Sequence, residues 1–342
     1  MHIFDDYLKP IRAAMAADPK SGTLNESLFS QREFFQKAFD VKALNSQVPE
    51  KRLLPNLADF AKALGLVPNF EQRLGLHHDF AHLKYSESLE EHYIISMFVD
   101  IKGSTNLFKK YTPRTVWIIT NTIQRAAIHT CLIFGGYVHR LQGDGLFIFF
   151  GGKDMKPEKA VNRALQFASV FTYFVKEDLK KIFLEQGVDN IYTRIGVDLG
   201  YDRDVVWGMA GIGEISEVTT CSLHTSLASK MQGRALSNGV VVGDHVKKEN
   251  TLIDDYCRPV CVRTGSENDR YIFRIPDENF YYTQYDFDWL KFLKKQDFIA
   301  TDFYGNLQLK NIANSSSIKK NVANIAPIAI LSKPYYNFNG NK

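Results

Sequence analysis

Between Tyr93 and Phe150 the chain follows a pattern that few folds can satisfy. Tyr93-Ile94-Ile95-Ser96-Met97-Phe98-Val99-Asp100 is a near-continuous apolar run ending on a carboxylate, as a central strand buried on both faces requires. After Gly103 comes a long helical pattern over 105–134, interrupted near Pro113 and stopped by Gly135-Gly136. Residues 137–141 and 146–150 then read as two strands, and Gln142-Gly143-Asp144-Gly145 between them is a hairpin turn.

The alternation continues. A second helix follows Pro157, with Ala160, Val161, Ala164, Phe167, Ala168, Phe171 and Phe174 in one stripe. Residues 192–199 and 205–210 read as a further hairpin, 223–234 as a third helix, and 240–242 and 271–273 as strands. The order β-α-β-β-α-β predicts an α+β fold with a ferredoxin-like core. Residues 1–90 read as a helical N-terminal extension, with Phe29, Phe34, Phe35, Ala38 and Phe39 at helical spacings; 91–276 read as the core domain. Residues 277–342 read as a C-terminal extension whose Ser- and Asn-containing end, from about Asn311, is a loosely ordered tail.

Composition narrows the function classes. A net charge of +4 over 342 residues is too small a bias to imply a nucleic-acid or membrane partner. Four cysteines (Cys131, Cys221, Cys257, Cys261) make neither a disulfide scaffold nor a zinc site, so a reduced, cytoplasmic protein is expected. Asp5, Asp6, Lys9, Arg12, Asp18 and Lys20 exclude a signal-peptide core, and no apolar stretch reaches the roughly 20 residues of a membrane span. His77, His78 and His82 invite a metal, but Leu74, Leu76, Phe80 and Leu83 around them favour packed or exposed helix positions.

Two features carry chemistry. The first strand ends in Asp100, followed by Ile101-Lys102-Gly103-Ser104-Thr105, where small residues at a helix start offer free N–H groups to phosphate oxygens. Asp144 lies at the tip of the glycine-flanked hairpin. Singly, Asp100 could be an N-cap and Asp144 a turn residue. The strand order makes them neighbours, and two hard oxygen ligands beside a phosphate cradle suit a two-metal nucleotide site.

These segments resemble class III adenylate and guanylate cyclases. Phe98-Val99-Asp100-Ile101-Lys102-Gly103-Ser104-Thr105 is similar to the opening metal motif, and the hairpin Gly136 through Gly145 to the second. Arg194-Ile195-Gly196-Val197-Asp198-Leu199-Gly200 and Ala228-Ser229-Lys230-Met231 resemble later segments, in order over roughly 93–275. The resemblance implies two Mg²⁺ or Mn²⁺ ions on Asp100, Asp144 and the Ile101 carbonyl, and attack of the ribose 3′-oxygen on the α-phosphorus to give a cyclic nucleotide and pyrophosphate. It also implies a homodimer in which these groups face Arg140, Thr219, Ser226 and Lys230 of the other chain.

The chain departs from that family at its base-reading positions. Four residues before the hairpin aspartate, where adenylate cyclases have Lys and guanylate cyclases Glu, stands Arg140, and the partner position aligns with Thr219. Arg donates only and Thr does both, which suits uracil or cytosine and not guanine. With the N-terminal extension, this resembles the pyrimidine cyclases of bacterial Pycsar antiphage systems, whose product activates a separate effector. Family frequency ranks UTP ahead of CTP. Ser226 and Lys230 replace the family's ribose-holding Asn and transition-state Arg, and Arg263 falls near its triphosphate lysine. A catalytically silent nucleotide sensor, a conventional adenylate or guanylate cyclase, and a diguanylate cyclase are the competing readings; the last lacks its Gly-Gly-Asp-Glu-Phe-like hairpin.

Overall fold

In the computed structural model, which describes residues 2–20, 52–188, 191–249, 251–303 and 305–310, helices α1 (Asp5–Ala16) and α2 (Pro55–Ala63) precede the core. The core runs β1 (Ile94–Lys102), α3 (Pro113–Ile133), β2 (Tyr137–Gln142), β3 (Gly145–Phe150), α4 (Pro157–Tyr173) and β4 (Tyr192–Gly200). Its strands lie in the order β4-β1-β3-β2 with every neighbour antiparallel, so the expected βαββαβ arrangement is the one observed. β1 is central because both its faces are apolar. Ile94, Ser96 and Phe98 alternate with Ile95, Met97 and Val99 on opposite faces.

The interruption expected near Pro113 is a short 3₁₀ segment, Ser104–Lys109, followed by α3. The Thr112 hydroxyl accepts from the Thr115 N–H and Pro113 occupies the first turn, a start that costs the helix no hydrogen bond.

Beyond β4 come β5 (Val206–Ile212), β6 (Ile215–Cys221), α5 (Leu223–Arg234), β7 (Gly239–Gly243), α6 (Asp244–Glu249), β8 (Tyr271–Ile275) and β9 (Phe280–Phe287). The hairpin expected between 192–199 and 205–210 does not form. β4 belongs to the large sheet, whereas β5 pairs with β6 and with Glu90–Glu91 in a separate three-stranded sheet. β6 escapes sequence reading because Val218 is its one buried side chain, leaving no apolar alternation to see. β7 joins β4 in parallel, and β9 pairs with β7 and β8. The boundary expected at 276 therefore falls between two paired strands.

The chain divides into two compact units, 1–296 and 297–342. In the second, the described residues form a hairpin of Ile299–Thr301 with Leu307–Leu309. In the first, the N-terminal region is more than helices. Residues 72–76 run beside the edge strand β2, where Gln72 Nε2 donates to the Gly136 carbonyl, the Gly75 N–H to His139 and the Val218 N–H to Gly75. This segment satisfies the edge and bridges β2 to β6. The helical expectation for 25–39 and the tail from 311 lie outside the described residues. No described helix is long and apolar enough to cross a membrane.

Candidate active site

Asp100 and Asp144 are brought together by the register of β1 against the β2–β3 hairpin. Val99 pairs with Leu146, and Gly145 lies so close that a Cβ there would meet the Val99 carbonyl oxygen at 2.4 Å and Asp100 Cα at 3.5 Å. Only glycine allows the turn to press Asp144 against the end of β1. Burial raises the Asp144 carboxyl above its ordinary range and the Asp100 charge adds to the rise, while a Ser104 hydrogen bond opposes it. Opposite Asp100 on β4, Arg194 lays its guanidinium on Oδ2, with Nε at 3.1 Å and Nη2 at 2.5 Å. Two converging carboxylates, one raised chiefly by burial and one answered by a cation, form a donor set that fits hard divalent ions. Ile101 is buried, and its carbonyl accepts from the Ser104 hydroxyl at 3.5 Å.

Gly103, at φ +93°, turns the chain out of β1 through the left-handed region. Lys102 and Thr105 are exposed and Ser104 is half-buried, so the segment expected to meet phosphates is accessible.

Arg140 and Thr219 also converge, through partners the sequence did not disclose. A bulge in β2 at Val138/Arg140 re-aims the strand. Arg140 forms a two-pronged ion pair with Glu217 of β6, Nε on Oε2 and Nη2 on Oε1. His139 Nε2 lies 3.1 Å from Thr219 Oγ1 and 3.6 Å from Glu217. His139 is fully buried and its Nδ1 has no hydrogen-bond partner; burial first, then the Arg140 charge, push the imidazole down to about 3, so it is neutral. Gly75, at φ +66°, comes within 2.8 Å of Glu217 Cβ, measured from where its own Cβ would stand. The 72–76 segment thus backs the site.

Ser226 and Lys230 lie on the exposed face of α5. The Ser226 hydroxyl donates to the Ser222 carbonyl at 3.4 Å, and Lys230 Nζ sits 5.9 Å from the Phe273 ring centre. The helix rides on β4 because position 196 is glycine: a Cβ would stand 2.1 Å from the Ala228 carbonyl. Arg263 pairs with Asp286 of β9 at 2.7 Å. Its partner strand is three places along the sheet from β1, about 14 Å at the usual strand spacing, so a single chain does not bring Arg263 to the carboxylates.

The three histidines divide. His77 is buried among Phe80, Tyr137 and Trp207, and burial pushes it down to about 3. His78 pairs with Asp79 at 3.1 Å and His82 with Glu90 at 2.9 Å, so the trio does not converge on one point.

A ferredoxin-like core with paired carboxylates on β1 and the adjoining hairpin is the arrangement the class III resemblance implies, and comparison with curated proteins finds cytidylate cyclases. No family model matches the chain. A cytidylate cyclase of Staphylococcus aureus is 39% identical over 179 residues, covering 52% of this chain and 42% of that protein. A cytidylate cyclase of Escherichia coli is 33% identical over 259 residues, covering 72% of this chain and 55% of that one. The chain spans about half the length of the curated relatives it matches. Among solved structures, the adenylyl cyclase CyaB from P. aeruginosa superposes with a TM-score of 0.48 at 18% identity, over 58% of this chain and 95% of that one.

Proposed function

We propose that the chain is a pyrimidine nucleotide cyclase that turns CTP into 3′,5′-cyclic CMP and pyrophosphate. The observation that carries this reading is the Arg140–Glu217 pair beside Thr219. A guanidinium has five N–H donors; Glu217 engages one edge, and the other is left for a base. Cytosine presents two adjacent acceptors, N3 and O2, next to a donor amino group. The free guanidinium edge matches the adjacent acceptors, and the Glu217 carboxylate or Thr219 hydroxyl accepts from the amino group. Uracil alternates acceptor, donor, acceptor, which sets its N3–H against a donor. The pairing favours CTP over the UTP that family frequency ranks first, and the relatives' name points the same way.

Asp100, Asp144 and the Ile101 carbonyl would hold the divalent ions, Mg²⁺ or Mn²⁺. Such ions supply positive charge that acidifies the ribose 3′-hydroxyl and screens the triphosphate. Lys102 and the N–H groups of Gly103, Ser104 and Thr105 would take phosphate oxygens. The 3′-oxygen bonds to the α-phosphorus as the bond to the β-phosphate oxygen breaks. Ser226 would steady the ribose, and Lys230 would answer charge growing on the α-phosphate. Both are exposed in one chain, which supports a homodimer whose second copy completes each site. The product would act on a separate effector, as the Pycsar resemblance implies.

The test is incubation with each of CTP, UTP, ATP and GTP plus Mn²⁺, with products resolved by mass. Cyclic CMP is the expected main product. Cyclic UMP in its place would overturn the base-pairing argument, a cyclic purine the pyrimidine reading. No cyclisation by the folded dimer would favour the silent sensor.

A further inference from the structure

We propose a zinc site formed by Asp204, His224 and His245, separate from the Asp100–Asp144 pair. Asp204 lies in the turn after β4, His224 in the first turn of α5 and His245 in the first turn of α6. One donor atom from each lies within 4.8 Å of the other two. The imidazole rings face each other with centres 4.3 Å apart.

Both histidines are fixed at the nitrogen a metal would not use. His224 Nδ1 lies 2.9 Å from Oδ2 of Asp198, a carboxylate with no solvent exposure whose other oxygen accepts from the Tyr282 hydroxyl at 2.7 Å. His245 Nδ1–H donates to the Leu199 carbonyl at 3.0 Å, and its N–H to Tyr282. A carboxylate or carbonyl behind each imidazole sets the tautomer and directs the Nε2 lone pair outward, the support metal-ligating histidines need.

The three donors stand wider than a bound ion would hold them. Donors around four-coordinate zinc stand about 3.3 Å apart. His224 Nε2 and Asp204 Oδ2 are 3.8 Å apart, and the Asp204 side chain is 42% exposed and free to close the remainder. Two imidazoles and one carboxylate prefer Zn²⁺ to the hard ions suited to the aspartate pair, and leave a fourth position for water. The ion would tie the start of α5, which carries Ser226 and Lys230, to the end of β4 and to α6. Its role is positioning.

The experiment uses the full chain carrying Asp100→Ala and Asp144→Ala, so that the aspartate pair cannot take zinc. After exposure to ZnCl₂ and exhaustive dialysis, one zinc per chain is expected, with melting raised by several degrees. Co²⁺ in its place should give a tetrahedral visible spectrum. Adding Asp204→Asn, an exposed and structurally mild change, or His245→Gln should lower retained zinc below a tenth, whereas His78→Ala should leave it unchanged. A folded double variant that retains no zinc overturns the proposal. So does zinc binding that survives both Asp204→Asn and His245→Gln, or that is lost with His78→Ala.

Discussion

Glu217→Ala separates what the Arg140–Glu217 pair does for folding from what it does for base recognition. The Arg140 side chain is 42% exposed and that of Glu217 21%, so water screens the pair. Removing one charge should cost folding less than about 1 kcal/mol. Turnover should suffer more. A cytosine amino group enclosed without its charged acceptor loses about 1–3 kcal/mol, roughly fivefold to 150-fold in kcat/KM. Arg140→Ala removes the donors facing N3 and O2 and should fall in the same range. Because Glu217 holds the guanidinium in place, the two side chains act as one unit. The double variant should then lose little more than the worse single, with an interaction energy on the order of 1 kcal/mol. The assay is kcat/KM for CTP and UTP on wild type, both single variants and the double, with melting temperatures as the folding control. The expected result is a fall for CTP and a narrowed CTP-to-UTP ratio at nearly constant melting temperature. Additive losses with an unchanged ratio would refute the reasoning and put base recognition elsewhere.

Asp100→Ala or Asp144→Ala should abolish cyclisation in a protein that still folds; near-normal cyclic nucleotide formation with Mn²⁺ by either variant would sink the metal assignment. An Asp100→Ala chain mixed with a Lys230→Ala chain should regain activity, since one hybrid site holds both intact halves, and a mixture no more active than its parts after verified exchange would argue for a site within one chain. Gly196→Ala should slow turnover and cost about 1–3 kcal/mol of stability, because the added methyl meets the α5 backbone at 2.1 Å; thermal melting and kcat together check it. Acid should destabilise the fold through His77 and His139, both pushed by burial from 6.5 to about 3. The unfolded chain takes up these protons below about 6.5 and the folded one does not, so their contribution is complete above that pH and is lost as pH falls. Stability should therefore fall from pH 7 to pH 5 by an amount on the order of 1 kcal/mol or more. A denaturant series at pH 7 and pH 5 measures it, and equal stabilities would contradict the burial of these rings.

The elements around the carboxylates were legible because each leaves a local mark. β1 is apolar on both faces, α3 opens at Thr112-Pro113, and the Gly143-Asp144-Gly145 turn announces its hairpin. These marks fix period and direction within a few residues, and they suffice to predict that Asp100 and Asp144 meet. β6 and the bridging turn at 72–76 leave no such mark. Their order comes from edges and side chains supplied by distant parts of the chain, such as Gly75 and Val218.

The βαββαβ order and the residue types at its turning points follow from local sequence, because hydrophobic period and turn chemistry are local properties. Pairing was left to the tertiary structure. That Glu217 closes on Arg140, that Arg194 answers Asp100, and that His224 and His245 face each other across the end of β4 all join residues more than 20 positions apart. Charge partners at such separations carry no period, and only the strand register and the close approach of helix to sheet at Gly196 select which of many acids and bases meet.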